Sequence, residues 1–249
     1  MVRVDIRNRD GSVEHYYHFL LGFCVPLVRF SLSRGEPGES LVVRECGPLT
    51  PLLAELRLPL DILPVARFRA QAATVQITGF DHPASYDYEV FVQFARYVAD
   101  LHTASQPRLS ARSSVILVER GAPAEFYLSE KAETRGAGSS RCAIKNHTAL
   151  AEALSARLPS FTSLRLEGKS LLEQFAIFHN ADIVIAQHGA ALSNLLFMRK
   201  NKRVIEIGPL RYGGRQFSAL STTMGLDYTF VPQSTRFPVV DPDEILNLI

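Results

Sequence analysis

Cysteine is scarce: Cys24, Cys46 and Cys142 are the three in 249 residues, with no CxxC pair and no Cys/His ligand spacing. A disulfide framework and a structural zinc are therefore not expected, and a reducing compartment is the simpler reading. Charge of one sign is missing too. Lys and Arg number 27 against 25 Asp and Glu, and the arginines at 29, 34, 44, 57, 67 and 69 are scattered. A polyanion surface needs a clustered basic face, so no nucleic-acid partner is expected. The longest apolar run, Phe19 to Val28, is interrupted by Gly22 and Pro26; it is about half of the ~20 residues a membrane span needs, so no integral membrane segment is expected. The opening MVRVDIRNRD carries no hydrophobic signal stretch, and a soluble, cytoplasmic protein is the corresponding expectation. No GxGxxG follows a strand pattern, which sets aside a dinucleotide-dependent oxidoreductase. Internal repeats are absent as well, which sets aside a solenoid.

Apolar residues make up 47% of the chain, enough for a large core in one big domain or two small ones. Short β-branched runs recur: RVDIR, SLVVR, ATVQI, SVILV, TSLRL, ADIVIA and RVIEI. They suit buried parallel strands, and helical patterns fall between most of them, so the fold class is α/β. From Asp87 to His102 the residues Val90, Phe91, Phe94, Tyr97, Val98 and Leu101 share one helical stripe, which predicts a helix packed on a sheet. The polar TASQPRLSARS that follows suits a linker, dividing the chain into 1–110 and 111–249. The second part reads as strand 114–118, helix 147–157, strand 162–166, helix 171–179, strand 181–186, helix 190–198 and strand 203–207. Ser170 with Glu173 adds a capping-box signal. Such a doubly wound sheet binds ligands at the carboxyl ends of its strands.

One place along that sheet draws chemistry together. In ADIVIAQHGAALSNLLFM an apolar strand runs into His188 and Gly189, and Ala190 and Ala191 open a helical stretch. Small residues admit a ligand close to the backbone, and free N–H groups at a helix start suit a phosphate. His188, Ser193 and Asn194 supply side-chain donors there; a plain turn with a capping histidine has the same spacing. Arg120 follows one strand and Arg141 precedes the next helix, so both can reach a diphosphate at the same edge; either alone is more often a surface ion-pair partner, and only the shared edge favours the ligand. Glu206, inside RVIEIGP, is a carboxylate in an apolar run and needs a partner, a ribose hydroxyl pair being one candidate. In the first half, EHYYHFLL places Glu14, His15 and His18 together. Two histidines one turn apart lack a third metal ligand, whereas a histidine near neutral pH suits a general base, or a plain hydrogen bond to a loop.

These segments resemble glycosyltransferase family 61, the group that includes plant xylan xylosyl- and arabinosyltransferases and animal O-GlcNAc transferases acting on EGF domains and dystroglycan. HYYHFLLGFCVPLVRF, VILVERG, SRCAIKN and GLDYTFVP carry the likeness, and LEGKSLLEQFAIFHNADIVIAQHGAALSNLLFM followed by VIEIGP is its most specific part. The resemblance implies a GT-B arrangement of two Rossmann-like domains with a deep cleft between them. It implies an inverting, metal-independent transferase with a UDP-sugar donor on the C-terminal domain, a glycan or glycoprotein acceptor, and no cofactor. Residue by residue it implies donor contacts at Arg120, Arg141, His188, Gly189, Ala190, Ser193, Asn194 and Glu206, and a place for His18 in the N-terminal motif. Gly22 stands where the family often has an acidic residue, Ala191 where it often has glycine, and PAEFYLSEKAETRGAG is inserted between Arg120 and Arg141.

The expected reaction is a single displacement with His18 as the base. Glu14, Asp81 and Asp87 are the next acidic candidates. No DxD-like motif follows a strand, so arginines and backbone amides are expected to stabilise the leaving diphosphate. The rival reading is a non-catalytic module of the same fold that binds a nucleotide sugar or polysaccharide.

Overall fold

The computed structural model describes residues 1–9, 11–34, 39–72, 75–105, 114–133, 137–210 and 215–249. Its first sheet contains β1 (Val2–Arg7), β2 (Leu41–Arg44), β3 (Leu60–Leu63) and β4 (Val75–Thr78) in the order β3-β2-β1-β4, every neighbouring pair parallel. The second contains β5 (Val115–Glu119), β6 (Phe161–Arg165), β7 (Ile183–Gln187), β8 (Arg203–Pro209) and β9 (Asp227–Gln233) in the order β6-β5-β7-β8-β9, again all parallel. Helices α1 (Tyr16–Phe19), α2 (Val25–Ser33), α3 (Thr50–Ala54), α4 (Val65–Arg69), α5 (Tyr88–Ser105), α6 (Gly138–Arg141), α7 (His147–Arg157), α8 (Leu171–Asn180), α9 (Arg215–Met224) and α10 (Pro242–Leu246) accompany them. The chain is α/β with parallel, Rossmann-like sheets.

Of the stripe its spacing predicts, helix α5 buries Val90, Phe91, Phe94 and Val98 and leaves Tyr97 and Leu101 half-buried. Its end overlaps the expected linker. The rest of that linker, with the 110/111 boundary, falls on residues 106–113, outside the described residues. Phe94 stacks on Phe197 at 6.0 Å and Phe175 meets Phe197 edge-on at 5.4 Å. Phe19, Phe23 and Leu27 belong to the same buried cluster as Phe178, Leu192 and Leu220. Apolar packing is thus continuous from the helices beside the first sheet to those beside the second, at about 1.5–3 kcal/mol for each such side chain fully buried. On its other face the second sheet packs Leu117, Ile185, Ile205 and Val231 against Leu150 and Leu154 of α7 and Ile245 of α10. The capping box at Ser170 and Glu173 is formed.

Two local departures from regular helix bear on the site. Between α1 and α2 the chain makes a π-helical turn, Leu20–Cys24, in which the Val25 N–H reaches back to Leu20 O. Pro26 has no N–H to offer. Leu21 O therefore has no helical donor from position 26, and it accepts from Phe80 N at 2.9 Å, pinning the loop after β4 to the turn. The second departure corrects an expectation: the α-helix predicted at 190–198 is a 3-10 helix, Ala190–Phe197. Ser193 Oγ donates to Ala190 O at 2.6 Å and Asn194 Nδ2 to Ala191 O at 3.2 Å, local side-chain bonds that compete with α-helical ones. The first backbone bond runs from Leu192 N to Gly189 O at 3.0 Å, so the amides of Ala190 and Ala191 precede it.

In both sheets the strand order reverses beside the first strand, between β1 and β4 and between β5 and β7. A crevice at the carboxyl ends of strands beside such a reversal is where doubly wound sheets take their ligands.

Candidate functional site

At the β5/β7 reversal the two strands deliver Arg120 and His188 to the same edge. The Arg120 guanidinium donates through Nη1 to His188 O at 2.7 Å and through Nε and Nη2 to Gly138 O at 3.3 and 3.2 Å. Gly189 is required by this arrangement, because a methyl on its α-carbon would collide with Nη1 of Arg120. The backbone at Gly189 is extended, with φ 167°, so close approach and not strain selects glycine. Ser139 N donates to Gly121 O at 2.7 Å. The long insertion between Arg120 and Arg141 is thereby closed at its base, with the start of α6 held beside the residues that follow β5. Arg141 is exposed at the end of α6.

Glu206 is fully buried on β8, and the partners its position demands come from the chain itself. His188 Nδ1 lies 2.5 Å from Oε1, and the Tyr228 hydroxyl donates to Oε2 at 2.6 Å. Burial and the adjoining Glu206 carboxylate push the Tyr228 phenol well above its ordinary pKa, so it stays a donor. Gly208 leaves room for the histidine: a Cβ there would lie 2.9 Å from His188 Cβ. Ser193 and Asn194 are also buried. Asn194 Oδ1 accepts from Tyr16 at 2.8 Å and its Nδ2 donates to Gln174 at 3.1 Å, so both side chains tie the segment down, Asn194 through an α1 partner. Ala190 packs against the main core cluster.

At the β1/β4 reversal stands the other histidine. His18 Nδ1 lies 2.8 Å from Asp81 Oδ2, with the Asp81 side chain wholly buried and 16% of the His18 side chain exposed. The other acidic candidates for a base serve other ends: Glu14, in the same sequence motif, accepts from Glu133 N at 2.7 Å, and Asp87 accepts from Val90 N at 3.1 Å at the start of α5. Among the described residues, no group of three or more His, Cys, Asp or Glu side chains is arranged to hold a metal.

Rings join the two reversals. His188 meets Phe217 edge-on at 5.4 Å, Phe217 meets Tyr17 at 5.9 Å, and Tyr17 meets His18 at 5.0 Å. The two histidines thus lie at the ends of a column of four rings along one seam. The insertion reinforces this seam: Tyr127 donates to Glu14 O at 2.5 Å and stacks on His15 at 5.8 Å, and Glu133 accepts from Ser12 at 2.6 Å and Arg44 at 2.8 Å. Sequence reading missed Phe217, Tyr228, Gly208 and the Asp81–His18 pairing. Glycine before Pro209 and aromatics in the last third are too common to single out.

Burial, then the nearby His18 and Arg141, hold His15 below its ordinary value of 6.5, and burial does the same for His147. With the folded value lowered, the unfolded chain takes up protons first. Stability is then full above about pH 6.5 and is lost as pH falls through 6.5 toward the folded values. The melting temperature is expected to drop between about pH 7.5 and 5.5, with a shallower slope in His15→Gln; a flat profile in the parent would refute the assignment.

No helix among the described residues is long and apolar enough to cross a membrane. A family model described as Glycosyltransferase 61 matches residues 16–205. No curated protein matches the chain.

Proposed function

Because the chain belongs to glycosyltransferase family 61, we propose that it is an inverting, metal-independent transferase that moves a sugar from a UDP-sugar to a hydroxyl of a glycan or protein. Donor sugars of the xylose, arabinose or N-acetylglucosamine class fit the reading. The donor half is 111–249 and the acceptor half 1–110, in the GT-B manner. The observation that carries the reading is the seam itself: an arginine-lined strand edge and a carboxylate-held histidine lie at two sheet reversals joined by four rings.

In the reaction the acceptor hydroxyl gives its proton to His18 Nε2 while its oxygen bonds to the anomeric carbon. The bond from that carbon to the diphosphate breaks on the opposite face, which inverts the configuration, and UDP departs with the electron pair. Arg120 and Arg141 supply positive charge to the departing diphosphate, the amides of Ala190 and Ala191 supply donors, and His188, fixed by Glu206, borders the same edge. Ser193 and Asn194 hold the loop that presents those amides. The protonated His18 then returns its proton to solvent.

Calorimetric titration with UDP is expected to give the same affinity with and without EDTA, since arginines and amides do the binding. Affinity that collapses in chelator and returns with manganese or magnesium would count against metal independence. UDP release from UDP-sugars reports turnover. Binding of UDP without any release from any UDP-sugar would instead identify a binding module of the same fold.

A further inference from the structure

The carboxylate beside His18 is held more tightly than a chance ion pair requires. Asp81 sits on the loop after β4, and that loop is fastened to the π-helical turn by Phe80 N donating to Leu21 O at 2.9 Å, a carbonyl made available by Pro26. Two glycines shape the slot. A Cβ on Gly22 would lie 2.9 Å from Asp81 Cγ, and one on Gly79 would lie 2.9 Å from Asp81 Oδ1 and 2.6 Å from Gly22 O. Within the slot Oδ1 accepts from Arg9 N at 3.0 Å, which leaves Oδ2 for His18 Nδ1. Burial by itself would raise the Asp81 pKa, but the bonds from His18 and Arg9 outweigh it and hold the carboxyl below its ordinary range.

An ionised carboxylate only accepts hydrogen bonds, so the nitrogen facing it must carry a proton. We infer that Asp81 is a positioning residue: seated over Gly22 and Gly79, it fixes His18 as the Nδ1–H tautomer and leaves Nε2 as the nitrogen that accepts the proton of the acceptor hydroxyl. This rests on the reading of His18 as the base. When Nε2 takes that proton, Nδ1–H remains shared with Asp81, whose negative charge stabilises the imidazolium; Asp81 is not itself protonated. Gly11, where φ is +79°, lies beside the Nε2 edge of the ring, and a Cβ there would collide with Nε2, so a side chain at this position would cover the nitrogen that takes the proton. The carboxylate arrives from a residue 63 positions along the chain, in the space a side chain at position 22 would otherwise occupy.

Asp81→Asn separates positioning from scaffolding, because the amide keeps the size of the side chain and its bonds to Arg9 N and the ring. Its NH₂, however, must donate to Nδ1, which forces the proton onto Nε2. Ring ¹⁵N spectra, with His18 assigned by its loss in His18→Gln, are expected to show Nδ1–H in the parent and Nε2–H in Asp81→Asn. UDP affinity is expected to stay within about twofold while UDP-sugar turnover falls by about 10²- to 10⁴-fold. A parent spectrum showing Nε2–H overturns the inference without any variant, and remains decisive if Asp81→Asn does not fold. An unchanged tautomer in the folded variant overturns it as well. A switched tautomer with undiminished turnover removes His18 as the base, and that failure belongs to the functional reading.

Discussion

His18→Gln is expected to lower UDP-sugar turnover by about 10²-fold or more while leaving the UDP dissociation constant within about twofold, the usual size of a general-base contribution. In free energy that is about 2.7 kcal/mol of transition-state stabilisation. Glutamine is the informative replacement, since its amide can still donate to Asp81 and so does not strand a buried carboxylate. The donor edge should not notice the change, because two rings, Tyr17 and Phe217, stand between His18 and His188. Steady-state kinetics beside calorimetry separates the two effects, and a melting curve checks the fold. A variant that turns over like the parent would displace His18 from the mechanism. Equal losses of binding and turnover with a lowered melting temperature would instead mark a structural histidine.

How much of this could be read from the residues differs between the halves. The strands of the second sheet are runs such as VILVE and IVIAQ, apolar enough to show against any background, and their order along the chain implies parallel pairing. Strand β3, LDIL, went unread because it is short, carries Asp61 in exposed alternation and sits at the sheet edge, where burial imposes little pattern. The helix at 190 was legible as an element but not as a type. Apolar periodicity reports a buried face, whereas the 3-10 winding follows from side-chain bonds by Ser193 and Asn194.

The sites divide the same way. Arg120 and His188, with Gly189 next to it, could be placed at one edge because each of the first two immediately follows a strand, and a parallel sheet sends successive strand ends to the same side. Glu206 was legible as an anomaly, a carboxylate in an apolar run, but its partners were not. His188 and Tyr228 reach it from neighbouring strands, a cross-strand registration that local spacing does not encode. The Asp81–His18 pairing is less accessible still, since it depends on a π-helical turn whose signal is one proline, Pro26, within an apolar run. Gly22 looks in the sequence like the loss of an acidic group; in three dimensions it is the room into which Asp81 fits.

The edge formed by Arg120 and Gly189 yields the second large effect. Arg120→Ala is expected to weaken UDP binding about ten- to a hundredfold, which is the worth of about 1.5–3 kcal/mol for hydrogen bonds from a charged group. Gly189→Ala should fall in the same range with Arg120 still in place in the sequence, because its methyl would occupy the place of Nη1 and push the guanidinium off His188 O. If both substitutions act through the same guanidinium, their effects cannot add. The double variant Arg120→Ala, Gly189→Ala is therefore expected to bind UDP about as weakly as Arg120→Ala alone, with a coupling energy close to the smaller single effect. Calorimetry on the four proteins completes the cycle. Additive losses would mean that Gly189 serves the ligand through its own backbone, independently of the arginine. Unchanged affinity in Arg120→Ala would leave that residue a strut between His188 and Gly138, and would transfer the diphosphate to Arg141 and the amides ahead of Leu192.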